Sequence, residues 1–166
     1  MIYASFCNYN TAAMYYGDPV FRNSSGYVYP TSPGTGTLAG VFVGCKYLSV
    51  SQKRTVWSNF WGSADVASGN TVEVYIVNDP NAKFVVQSDS TGITLAGVNA
   101  NVGFAIGTGN TANGISGSYI DSTTINTTNT LPFRIISLIV DPPGSNGTQA
   151  GAYNYVIVAF NNVTTK

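Results

Sequence analysis

The strongest constraint on this chain is a period of two. "TVEVYIV" (Thr71–Val77) places Val72, Val74 and Ile76 on one side of an extended backbone, and Glu73 and Tyr75 on the other. That is the alternation of a half-buried β-strand. "LAGVFVGCKYLS" (38–49) alternates too, setting Val41, Val43, Cys45 and Tyr47 against Phe42, Lys46 and Leu48. "GYVYP" (26–30) and "AKFVVQS" (82–88) are shorter runs, the second following the turn "NDPN", where Asn78 and Asp79 can bond their own backbone and Pro80 presets φ. "FRIISLIV" (133–140) and "AYNYVIVAF" (152–160) are apolar on both faces and predict central strands. The stretch between them, "DPPGSNGTQAG", is a Pro/Gly-rich loop.

Helical periodicity is nearly absent. One short helix is the most the sequence offers, over "VNANVGFA" (98–105), with Gly103 weakening it. A polar stretch follows at 107–130, with Ile115, Tyr119, Ile120 and Ile125 as its main packing content. It predicts a surface excursion carrying at most one weak strand. Residues 1–16 precede any clear strand signal and predict an arm or extension reaching a neighbour; a disordered tail is the alternative, disfavoured by the four aromatics Tyr3, Phe6, Tyr9 and Tyr15. Residues 17–166 then form a single all-β domain, a β-sandwich or β-barrel of seven or eight short strands.

The chain is long enough to bury a real core: 166 residues, 44% of them hydrophobic, cover roughly 70% of the surface exposed on unfolding. Its charge is unusual. Charged residues are 8% of the chain and the formal net charge is zero, against about 25% charged in an average soluble protein. Such a surface carries no electrostatic footprint for nucleic acid or for an anionic membrane. It also resists association poorly, which suits a protein held in an assembly or exposed outside a cell. The N-terminus shows no secretory signal pattern and no apolar window of membrane length. Two cysteines, Cys7 and Cys45, are too few for a disulfide framework and read as free thiols. An extracellular composition on a chain without a secretion signal fits virion proteins, which are made in the host cytoplasm and later exposed.

Catalytic chemistry has little to stand on. There is no histidine, which removes Ser-His-Asp and Cys-His arrangements and the commonest general base and metal ligand. The acids Asp18, Asp65, Glu73, Asp79, Asp89, Asp121 and Asp141 share no motif; Asp18, Asp79 and Asp141 each precede proline and read as turn initiators. Glu73 sits mid-strand, facing solvent or pairing with a neighbouring cation. "GTGTLAG" (34–40) fits a dinucleotide pattern only formally, because no strand leads in and no helix follows. No cofactor or metal is implied.

One segment concentrates the interesting residues. "GVFVGCKYLSVSQKRTVWSNFW" (40–61) holds Lys46, Lys53 and Arg54, three of only 7 Lys and Arg, and both tryptophans, Trp57 and Trp61. It predicts a β-hairpin with Lys53 and Arg54 at or near the tip and Trp57, Phe60 and Trp61 in the returning strand. On a continuous strand the two tryptophans share a face about 13 Å apart, with Phe60 opposite. Core or interface packing is the simpler reading of this set; a stacking platform for a sugar ring is the alternative.

The order of segments resembles that of the decoration (cement) proteins of tailed-bacteriophage heads. The resemblance rests on "GDPVF" with "GYVYP", on Gly40, Phe42, Gly44 and Tyr47, and on the block Ser58, Asn59, Phe60 and Trp61. It continues through Asp79, Pro80, Phe84 and Gln87 to "PFRIISLIVDPPG" and "GAYNYVIVAFNN", covering about 17–162. It implies a non-enzymatic protein that stabilises the outer capsid surface of the virion, bound to the major capsid protein as a homotrimer. The interface residues expected on this reading are Lys53, Arg54, Trp57, Phe60, Trp61, Tyr3, Phe6 and Tyr9. A carbohydrate-binding or adhesive β-sandwich, or a tail or baseplate protein, are the alternatives.

Overall fold

The computed structural model describes residues 2–9, 11–33, 36–139 and 150–164. Among the described residues the fold is all-β, eleven strands in two antiparallel sheets. The first sheet contains β1 (Ile2–Asn8), β2 (Pro19–Arg22), β3 (Val28–Pro30), β4 (Gly40–Leu48), β5 (Thr55–Ser58) and β6 (Thr71–Val77), in the order β1-β6-β4-β2-β3 with β5 alongside β4. The second contains β7 (Lys83–Gln87), β8 (Asn101–Ala105), β9 (Tyr119–Asn126), β10 (Phe133–Leu138) and β11 (Tyr155–Phe160), in the order β7-β11-β10-β8-β9. The strand count exceeds the expected seven or eight because β1, the four-residue β2 and β8 add to the expected strands.

Each sheet curls until its end strands meet. β1 touches β3 in the first, and β7 touches β9 in the second. Arg22 Nη1 donates to Ser5 Oγ at 2.9 Å, tying β2 to β1 across the first opening. A parallel bridge between Ser88 and Ile120 does the same in the second. Curling gives each sheet its own apolar interior, and the near-closure shortens the exposed edges. The first interior holds Cys7, Met14, Val20, Phe42, Cys45, Trp61, Val72, Val74 and Ile76. The second is built on Ile93, Val102, Phe104, Ile120, Phe133, Ile135, Val156, Val158 and Phe160. Phe133 stacks on Phe160 at 5.8 Å, and Phe84 meets Phe160 edge-on at 5.0 Å.

β4 serves both interiors. Its register against β6 shifts between Phe42 and Gly44, a bulge at Val43. The extra residue reverses the alternation. Phe42 therefore lies opposite Ile76 and faces the first interior together with Cys45, whereas Val41 packs into the second. The unbroken alternation read from the sequence had put Phe42 on the other face from Cys45. It is right beyond the bulge, where Cys45 and Tyr47 turn in and Lys46 and Leu48 turn out.

Three further expectations need correction. Residues 1–16 are not an arm: Ile2–Asn8 pairs with β6 along its whole length, Ser5 and Cys7 are buried, and Met14 exchanges main-chain bonds with Trp61. Small polar and thiol side chains on the inward positions, with Phe6 outward, disguise this strand. The helix expected over 98–105 is strand β8, preceded by a single 3-10 turn at Leu95–Gly97. Four buried residues in a row fit a strand covered on both sides. The polar stretch 107–130 contains one strand, as expected, but β9 is eight residues long, and the loop before it is fastened down. The Asp18 carboxylate accepts from the Ser116 and Ser118 hydroxyls, and Asn59 Nδ2 donates to Asn113 O at 2.6 Å. The Pro/Gly-rich loop after Asp141 lies largely outside the described residues.

Candidate interaction face

Among the described residues, the outer side of the first sheet carries exposed side chains on β1, β5 and the Lys46–Leu48 end of β4, and the register across it is explicit. Phe6 lies opposite Glu73, Glu73 opposite Lys46, and Lys46 opposite Trp57. Directly paired residues of an antiparallel sheet point to the same side. These four side chains therefore form one row across β1, β6, β4 and β5. In the next row Ala4 lies opposite Tyr75, and Tyr75 opposite Gly44. Ile2 and Leu48 extend the surface, both exposed.

Trp57 is the most prominent member, 62% exposed. Its indole lies over Gly44: a Cβ built there would stand 2.7 Å from Trp57 Cζ2. Glycine at that point lets the ring lie flat on the sheet with its other face open. Phe6, at the opposite end of the row, is 54% exposed.

Between these aromatics sits an ion pair. Lys46 Nζ stands 3.2 Å from Glu73 Oε2, and Tyr75 Oη donates to Glu73 Oε1 at 3.0 Å. The Tyr75 hydroxyl, and then Lys46, hold the Glu73 carboxyl below its ordinary value, and Glu73 in turn raises Lys46. The neighbouring-cation reading of Glu73 holds. The result is a surface of exposed aromatics around charges that cancel internally.

The other expected interface residues scatter. Lys53 and Arg54 do sit on the tip between β4 and β5, both exposed; Lys53 adopts a left-handed φ of 53°, and Arg54 donates twice to Gln52 Oε1. Trp61 is a core residue, 1% exposed, with its Nε1 donating to Thr11 O at 3.0 Å and its ring edge-on to Tyr47 at 5.3 Å. The shared tryptophan face fails because β5 ends at Ser58 and the chain bends before Trp61. Phe60 is half-buried and stacks on Tyr15 at 5.8 Å. Tyr3 belongs to the inner side of β1, opposite Ile76, and is exposed only at the sheet margin. Tyr9 is half-buried beyond the end of β1. The expected set thus resolves into Phe6 and Trp57 on one face with the Lys53–Arg54 tip beside it.

Sequence reasoning missed Tyr75 and Ile2 as members of this face, and missed the fastening roles of the acids. Asp65 accepts from Ser49 Oγ, Ser51 N and Ser51 Oγ, holding the hairpin tip. The Ser49 hydroxyl, followed by the Ser51 amide, lowers its pKa. Asp89 accepts from Thr91 N, Gly92 N, Ser122 N and Ser122 Oγ. Burial opposes its charge, but these donors outweigh burial and keep the carboxyl below its ordinary value. Both thiols are free and buried, and burial pushes Cys7 and Cys45 up to about 12. Among the described residues no three His, Cys, Asp or Glu side chains gather as a metal site, and no helix is long and apolar enough to cross a membrane. Comparison with protein-family models, with curated proteins and with solved structures returns no match.

Proposed function

We propose that this chain is a non-enzymatic virion structural protein that decorates and stabilises a phage head, docking on the major capsid protein through the outer side of its first sheet. The observation that carries this reading is the row Phe6–Glu73–Lys46–Trp57, which displays two large exposed aromatics on the outer side of the first sheet around a self-neutralised ion pair. Interface centres are enriched in aromatics and depleted of uncompensated charge. The sequence resemblance to cement proteins supplies the partner and the homotrimeric assembly, and a charge-poor surface suits many modest contacts repeated over a symmetric shell. Lys53 and Arg54 flank this surface and would steer it toward an acidic loop of the shell.

Quantitative mass spectrometry of gradient-purified particles tests the reading. An abundance comparable with the main shell protein is the expected result. A few copies per particle would move the chain to a tail or baseplate, and absence from particles would remove the virion reading.

A second reading has one specific observation behind it. Trp57 offers an open indole face beside Lys46, an aromatic platform with a neighbouring donor of the kind on which a sugar ring stacks and bonds. With Trp61 in the core, such a site rests on Trp57 alone, so a glycan-array signal lost in Trp57→Ala is the outcome that would favour it.

A further inference from the structure

Among the described residues the second sheet is joined at its ends by only the Ser88–Ile120 bridge and does not fully close. From the Ser88–Ile120 bridge, where the Asp89 amide donates to Ile120 O at 3.1 Å, β7 and the 115–120 segment diverge. Between them runs a groove of about 890 Å³, in the size range of natural ligand sites. Phe84 and Val86 from β7 form part of its floor, Ile115 and Tyr119 one wall, and Tyr16 and Val43 another.

One side of this groove is an unpaired sheet edge. Among the described residues β7 pairs only with β11. Ser88 N donates to Asn154 O at 2.9 Å, one step beyond the paired residues Gln87 and Tyr155. Main-chain direction alternates along an antiparallel strand. Val86 and Phe84 therefore turn their N–H and C=O toward β11 like Ser88, and Val85 turns both away from it. The Val85 side chain is 63% exposed. An edge of this kind is what β-strand addition uses.

We propose that this groove binds one extended peptide segment, from a partner protein, which adds to β7 as a sixth strand of the second sheet. Val85 is open to solvent on this edge, so pairing with a second folded copy is the competing outcome that the test separates. Charge fixes the occupant further. Lys83 lines the groove, and among the described residues no carboxylate pairs with it. The Asp89 carboxylate is already filled by its own four donors. The segment is therefore apolar or neutral along β7 and carries an acidic residue at the Lys83 end. This inference is independent of the docking face on the first sheet.

The probe is a capped heptapeptide of alternating threonine and valine ending in aspartate, titrated into the full-length protein and followed by amide hydrogen exchange. The expected result is saturable binding with at least tenfold slower exchange at Val85. Ending the peptide in lysine instead should weaken binding about two- to fivefold, and Lys83→Glu should reverse that preference. Val85→Pro removes the outward N–H at an edge position where proline is tolerated and should abolish binding. If that variant does not fold, Lys83→Glu still decides. Absence of binding, binding without protection at Val85, or protection of Val85 by dimerisation in the absence of peptide would each overturn the proposal.

Discussion

The two tryptophans lie four residues apart and have opposite fates. Trp61 fills the first interior, bonds Thr11 and clamps the 11–18 segment through Met14. Trp57 lies on the outer side of the same sheet, over Gly44, and is mostly in water. The inner side of that sheet is closed by Cys7, Val72, Val74 and Cys45; the outer carries Phe6, Tyr75 and Leu48. The difference teaches that aromatic content alone does not distinguish core from interface. Strand parity, the bulge at Val43 and the bend after Ser58 decide it.

The contrast can be broken most severely at Trp61. Trp61→Ala should cost about 3–5 kcal/mol, the usual range for emptying a large core site, read as a shift of the denaturant midpoint. Trp57→Ala should cost under about 1 kcal/mol and leave the fold intact, its effect appearing in particle binding. Gly44→Ala probes the seat of the ring, because the new methyl displaces Trp57 from the sheet. The methyl would also stand 2.9 Å from Ser58 O, so the expected signature is a changed Trp57 emission together with a loss of stability from strained β4–β5 pairing, checked in the Trp61→Phe background so that one indole reports.

The thiols report on the closed side. With pKa values pushed up to about 12 by burial, neither Cys7 nor Cys45 supplies thiolate near pH 8. Iodoacetamide should leave the native protein unmodified and label both cysteines once it is unfolded. The smallest effect concerns pH. Asp65 and Asp89 have folded-state values below the ordinary carboxylate value of about 3.9. Their stabilisation is present above that value and is lost as pH falls through the lower folded values. Thermal midpoints should therefore be flat from neutrality to about pH 5 and decline below about pH 4. Asp65→Asn and Asp89→Asn should each flatten that decline.

Much of the fold was readable because alternation is a local signal. In β6 the buried positions are Val72, Val74 and Ile76, as the pattern of "TVEVYIV" requires, and Glu73 found the cation expected beside it. What escaped depends on residues far apart in sequence. The bulge at Val43 shows only against β6. Asp18 reaches Ser116, and Asn59 reaches Asn113, through contacts that no window of sequence contains. Buried Asn154 is another such case: it bonds Ser88 and both main-chain groups of Ile93, pinning the start of β11. Of the expected interface, Phe6 and Trp57 came together because parity in β1, β6, β4 and β5 places them in one row. Trp61 and Phe60 did not, because the strand that would have carried them stops at Ser58.

Hydroxyl-radical footprinting of the protein free and on purified phage heads tests the central claim most directly, with side-chain oxidation read at Phe6, Trp57 and Tyr75. Strong labelling in the free protein and protection of all three on the particle are expected, with Trp61 unlabelled in both. Equal labelling of Phe6 and Trp57 on the particle and in solution would contradict that claim.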